Sequence, residues 1–307
     1  GTMEKLGLGY NDLIKSNPSI IMVSASFDGA NLPGSDIAAV GNLMQAKAGY
    51  HHFTGWPDRP PVPPSAAIPD FITPFYIVIT LMAALDYRHR TGKGQHINVS
   101  MHQSSLQFMS PALMDYIVND RIQVRKGNLS DHAAPHGVYR CKGDDAWCAI
   151  AVTRDEEWLA LCQEMGNPPW TKDPKFQTMP RRLEAEQKVD RHIEAWTSQY
   201  SPYEVMQRLQ AAEVPAGVVA TGKDLDEDPH LKAIHHYPEL SHPEMGRHKY
   251  EAPAIRLSET PAEIRRAPCL GEDTFFVCTE LLGMSAQEFV ELDSEGVFGR
   301  EHQGKIQ

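Results

Sequence analysis

No apolar run in this sequence reaches the roughly 20 residues that a membrane-spanning helix needs. The longest candidate, Phe75–Leu85, is too short. No charged stretch followed by an apolar segment opens the chain, so no secretion signal is visible. Cysteine is scarce: Cys141, Cys148, Cys162, Cys269 and Cys278 are odd in number and form no C-x-x-C pair. This argues against a disulfide framework and for a reducing, cytoplasmic setting. Positive charge is in deficit, with 29 Lys and Arg against 40 Asp and Glu and a net charge of −11. With no basic stripe interleaved with aromatics, nucleic acid is not an expected partner. A Walker loop, a G-x-G-x-x-G fingerprint and a G-x-S-x-G elbow are all missing, which removes sequence support for ATP, NAD and serine-hydrolase chemistry. Histidines are present, but His51-His52 and the loose group His235, His236, His242 and His248 lack metal-ligand spacing, so no metal is expected.

What remains is the composition of an ordinary globular chain, 41% hydrophobic and 22% charged, with 307 residues, enough for two domains with real cores. A short helix is expected near Asn11–Lys15, then a strand at Ile20–Ser24, whose unbroken apolar run suits burial on both faces. A weak helix over Ala38–Lys47 follows, then a strand at His96–Met101 and a helix over Gln103–Asn119. The polar stretch Asp120–Asn128 reads as a domain boundary. Beyond it, Gly137–Cys141 and Trp147–Val152 read as strands joined by a turn at Lys142–Asp145. Capping boxes at Thr153/Glu156 and Ser201/Glu204 open helices, with another helix over Arg182–Gln199 between them. A short strand is expected in Val214–Val219, a loop through Asp228-Pro229, and a last helix capped by Ser285 and ended near Gly296.

The chain is organised around Thr54–Gly94. A proline-rich lead-in, Pro57 to Pro64, favours an extended course. A helix is expected from Pro74, with Thr73 as N-cap and Gly92 as its stop, apolar nearly all round and hence buried. Just before it stands one carboxylate among apolar neighbours, Asp70. Two readings fit: an acid favoured by the helix dipole, or a nucleophile held ready by stiff flanks.

The run TGWPDRPP, an Asp before a long apolar helix, and then AALDYRHRTGKGQHINVSM resembles the class III CoA-transferases, the CaiB/BaiF-like group that also contains the α-methylacyl-CoA racemases. GVYRCKGDDAWCAIAV, DPKF, AAEVPAGVV, DPHL and APAIRLSETPAEIRRAPCLGEDT continue the resemblance along nearly the whole chain. The resemblance implies an α/β fold, with a Rossmann-like larger domain, a smaller α+β domain, and an interlocked homodimer. Residues 1–125 would be the remainder of the larger domain, 126–230 the smaller domain, and 231–307 a segment returning to the larger one. The N-terminal half of the larger domain, with part of the CoA site, would precede the GLGY segment and is expected to be missing from this chain.

In the family the nucleophile falls at Asp70. It would take CoA from an acyl-CoA through a mixed anhydride and an aspartyl-CoA thioester, then pass it to a free carboxylic acid. Acyl-CoA and the acid are thus the expected substrates, with no tightly bound cofactor. His51, His52 and Trp56 precede the nucleophile and are candidate substrate contacts. After Gly127-Asn128 the family's formyl- and oxalate-handling members carry a glycine-rich loop, which this chain replaces. This favours a larger acid, with His132 or His136 near the pocket mouth, and the central stretch looks closest to members acting on aromatic or dicarboxylic acyl groups. Two alternatives stay open. One is a racemase, although Gly34–Gly41 lacks the histidine the family's racemases place there. The other is an incomplete or non-catalytic subunit of a heteromeric transferase.

Overall fold

The apolar run at Ile20 becomes strand β1 (Ile21–Ser26), which pairs in parallel with β2 (Gln95–Ser100), Ile21 opposite Gln95 and Ser26 opposite Ser100. A parallel pair needs a long crossover; here it contains the 24-residue helix Ile68–Thr91. Gly94 makes the entry to β2 possible, because a Cβ there would lie 1.8 Å from the carbonyl oxygen of Ile20. β1 is half-buried along most of its length rather than covered on both faces. This computed structural model describes residues 1–30, 37, 38 and 40–298. Half of the Gly34–Gly41 segment named above, residues 34–36 and 39, therefore lies outside the described residues.

The central helix differs from expectation in three ways. It starts at Ile68, six residues before Pro74, with Ala67 as its N-cap and Pro69 in the first turn. Pro74 sits inside it. The missing amide of Pro74 would have bonded the carbonyl of Asp70, so the ladder is broken at that residue alone. Gly92 does stop the helix, at φ 73° in the left-handed region. Because the helix runs through Pro74, it is long and apolar enough to cross a membrane by length and composition, which the shorter Phe75–Leu85 run did not suggest. Nor is it buried in this chain. Only Pro69, Thr73 and Ala84 are, while Phe71, Phe75, Val78, Ile79 and Met82 are all exposed.

A second sheet forms where alternation was clearest. β3 (His136–Arg140), β4 (Trp147–Ala151) and β5 (Ala216–Val218) run antiparallel in that order. The helices Asp155–Glu164, Glu186–Thr197 and Pro202–Ala211 supply Trp158, Leu161, Val189, Ile193, Val205 and Leu209 to the core that covers one sheet face. The first of these is boxed by Glu157, not Glu156: its carboxylate accepts the amides of Thr153 (2.7 Å) and Arg154 (3.1 Å). Ser201 and Glu204 form the expected box. The Arg182–Gln199 helix is two pieces, Met179–Glu184 and Glu186–Thr197. Their junction leaves Arg182 fully buried, donating to the carbonyls of Ala134 (2.8 Å) and Phe176 (3.2 Å) and to Asp155 (2.8 Å).

All of this belongs to one compact unit, Gly1–Val218. The second unit, from Val219, holds two short helices, Gly222–Glu227 and Pro229–Ala233, where a loop was expected. It also holds the hairpin β6 (Glu239–His242) and β7 (Gly246–Lys249), and the helix Ala286–Ser294 capped by Ser285. The whole is a mixed α/β chain of small sheets and many helices.

Candidate active site

Asp70 occupies the first turn of the central helix, one residue after Pro69 and four before Pro74. Its amide donates to the carbonyl of Ala67 at 2.8 Å, and Thr73 donates its hydroxyl to the carbonyl of Pro69 at 2.7 Å. The backbone around the carboxylate is thus fixed. The carboxylate itself is exposed, and among the described residues it accepts no hydrogen bond and forms no ion pair. An acid serving as a cap would accept a helix amide; this one is left available. Gly41, which opens the helix Gly41–Lys47, lies against it: a Cβ there would be 3.4 Å from Oδ2 and 2.6 Å from the Cβ of Ala67.

The far end of that short helix carries a group the sequence did not announce. Lys47 reaches Asp28 at 2.5 Å, and His102 meets the same carboxylate at 2.9 Å. Asp28 and His102 follow β1 and β2, at the carboxyl ends of the parallel strands, where open α/β sheets place ligands. The Lys47 ammonium holds the Asp28 carboxyl below its ordinary range, against the opposing effect of burial.

Trp56 is half-exposed, with the guanidinium of Arg59 over its ring at 5.6 Å. Gly127 packs on the indole so closely that a Cβ would lie 2.9 Å from Nε1, and its φ of +61° suits glycine. The amide of Gly127 donates to Gly55 (2.8 Å), and Arg125 donates to the carbonyl of His52 (3.2 Å). These bonds clamp the segment after Asp120 onto the stretch before the central helix. From there residues 127–129 join the β3–β4–β5 sheet in lining an open cavity of about 570 Å³. Ala149, Ala151 and Gly217 give it a floor of small residues, and His136 stands in its wall. The imidazole Nδ1 of His136 lies 2.6 Å from the carbonyl of Asn128, so Nδ1 carries a proton and donates it there.

His136 and Trp56 are therefore brought to the same clamped loop. His132 is exposed and does not line the cavity; its amide donates to Ser130. His51 is half-buried, and its Nε2 has no partner among the described residues. Asp70 shares no hydrogen bond or ion pair with any of these histidines within the described residues.

Behind β3 lies an acid cluster that sequence reading missed. Burial raises the Glu186 carboxyl to about 7, with Asp190 and Asp131 adding to the rise and His136 opposing it. Asp190 is also raised by burial, although Tyr139 donates its hydroxyl to it at 2.7 Å. The available signal was spacing: Glu186 and Asp190 stand three before and one after Val189, a residue of the buried stripe.

The family model for CoA-transferase family III matches residues 1–274. The chain belongs to this family. It is an acyl-CoA:carboxylate CoA-transferase, and its substrates are an acyl-CoA and a carboxylate. One relative is the succinyl-CoA–D-citramalate CoA-transferase of Chloroflexus aurantiacus, 31% identical across 97% of this chain and 74% of its own length. Another is a formyl-CoA:oxalate CoA-transferase of Rhodopseudomonas palustris, 28% identical across 96% of this chain and 74% of its own. The crystal structure of a CaiB/BaiF family protein from Brucella suis superposes with a TM-score of 0.82 at 28% identity, over 92% of this chain and 73% of that one. The family III fold and the site geometry thus come from the same stretch of chain.

Proposed function

We propose that this family III transferase moves CoA between carboxylic acids through covalent chemistry at Asp70. The carrying observation is a carboxylate fixed by its backbone, exposed, and uncommitted to any partner among the described residues. Its oxygen attacks the thioester carbonyl, the C–S bond breaks, and CoA thiolate leaves a mixed anhydride on the enzyme. The thiolate returns to the aspartyl carbonyl, releases the donor acid and leaves an aspartyl-CoA thioester. The acceptor carboxylate then repeats the two steps in reverse. Each step conserves the acyl bond energy, so exclusion of water decides transfer over hydrolysis. The non-reacting part of the acid occupies the 570 Å³ cavity beside His136, whose size and small-residue floor suit an acid larger than formate. Trp56 and His52 hold the loop that lines it. Residues 1–125 act as part of a nucleotide-type larger domain, and two copies assemble as a homodimer through the exposed central helix.

Asp70→Asn tests the reading. Incubation of the wild-type chain with a labelled acyl-CoA is expected to leave the label on the peptide that contains Asp70. The variant is expected to lose exchange by at least about 1,000-fold with its fold intact, since the nucleophile itself is removed. Label on another peptide, or near-normal exchange by the variant, refutes it.

A further inference from the structure

Within the unit that begins at Val219, the end of β6 and the segment after Pro268 bring two reactive side chains together. Nε2 of His242 lies 4.0 Å from Sγ of Cys269. His242 is 8% exposed, and its Nδ1 accepts the amides of Glu244 (3.1 Å) and Met245 (3.3 Å). A ring nitrogen that accepts two N–H groups carries no proton, so the imidazole proton sits on Nε2, facing sulfur. The imidazole is thus a donor to the sulfur and not a base for it. A donor aimed at sulfur favours the thiolate over the thiol.

Arg266 lies close enough for its guanidinium to feel Cys269. The nearby acid, Glu272, is spoken for: it accepts Arg266 at 2.8 Å and the amide of Cys269 itself at 2.7 Å, and is held down at about 2. Cys269 is half-exposed and lines a concavity of about 310 Å³ with Cys278. The other cysteines differ: all four are buried, and burial pushes Cys148 to about 12 and Cys162 to about 11.

We propose that Cys269, held against His242 in this concavity, is a modification site that reacts with small hydroperoxides. The sulfur attacks the terminal peroxide oxygen. An S–O bond forms as the O–O bond breaks, and the sulfur gives up two electrons to the peroxide. The departing hydroxide or alkoxide takes a proton from solvent, leaving a sulfenic acid and water or an alcohol.

The full chain is treated with hydrogen peroxide in the presence of dimedone, and the cysteine peptides are followed by mass spectrometry. The Cys269 adduct is expected to form at least about tenfold faster than any other, as its environment is the only half-exposed one of the five. His242→Phe, which keeps a flat ring and removes the donor, is expected to slow it about tenfold. His242→Gln, which retains an N–H donor, is expected to react faster than His242→Phe. An adduct that forms first on another cysteine overturns the proposal. So does equal reactivity of the wild type and His242→Phe, or of the two variants.

Discussion

At the scale of single residues, the chain keeps its acids in contrasting environments. Asp70 is exposed and available, Asp28 is paired with Lys47 and hydrogen-bonded to His102, and Glu186 is half-buried, with one carboxylate oxygen lacking a partner among the described residues. The burial of Glu186 has a thermodynamic sign. Its folded-state value of about 7 lies above the ordinary 4.5, so the native state holds the proton more tightly than the unfolded one. Between about 4.5 and about 7 the folded chain binds more protons, and stability falls as pH rises through that window. Asp190 is raised in the same direction and steepens the fall from its own lower ordinary value. Glu186→Gln removes the cost of the buried anion. Discounted for the solvent this group still meets, the variant is expected to gain roughly 2–4 °C in Tm at pH 8, the shift that about 1 kcal/mol produces in a unit the size of Gly1–Val218. At pH 4 it is expected to match the wild type. Thermal unfolding followed by circular dichroism at both pH values checks this, and an unchanged Tm at pH 8 contradicts it.

At the scale of elements, the features legible in sequence were those whose cause is local. Gly92 ends the central helix because only the left-handed conformation closes it there, and Ser201 with Glu204 boxes its helix through two reciprocal bonds within four residues. β3 and β4 were readable by alternation. The start of the central helix was not, because Pro74 reads as a first-turn residue and is in fact tolerated inside, at the cost of one bond to Asp70. Its burial was not legible either. An apolar face reports that something should cover it, not that the cover lies in the same chain. Asp70 was visible as a lone acid, whereas the Lys47–Asp28–His102 group spans 74 positions in sequence and exists only once β1 and β2 pair. Phe71, Phe75, Val78 and Met82 fall at spacings of four, three and four, one continuous stripe along the helix. If a second copy covers that stripe, Phe75→Glu and Val78→Glu together will shift the chain to a smaller species in light scattering and leave far-ultraviolet dichroism unchanged. An unaltered mass would place the contact elsewhere.

At the scale of the whole molecule, stability is distributed unevenly. Every member of the contiguous hydrophobic core lies between Tyr139 and Val214, and it includes the fully buried Trp158, Leu161, Val189, Ile193, Val205 and Leu209. Among the described residues before Ala133, the buried hydrophobic set is only Met44, Ala48, Ala84 and Val99; in the unit after Val218 it is Cys278. Local opening costs least where few apolar contacts are lost. Amides of β4 and of the helices Asp155–Glu164, Glu186–Thr197 and Pro202–Ala211 are therefore expected to exchange with solvent deuterium most slowly. The lag over amides of β1, β2 and the β6–β7 hairpin should be on the order of 100-fold, a difference of a few kcal/mol in opening free energy. The central helix separates two origins of protection. Its amides should exchange faster than the core at concentrations where the chain is monomeric, and slow down as concentration rises if a second copy packs on the exposed stripe, since association stabilises by mass action. Uniform protection along the chain at low concentration would mean that residues 1–125 carry a core of their own, which their burial does not support.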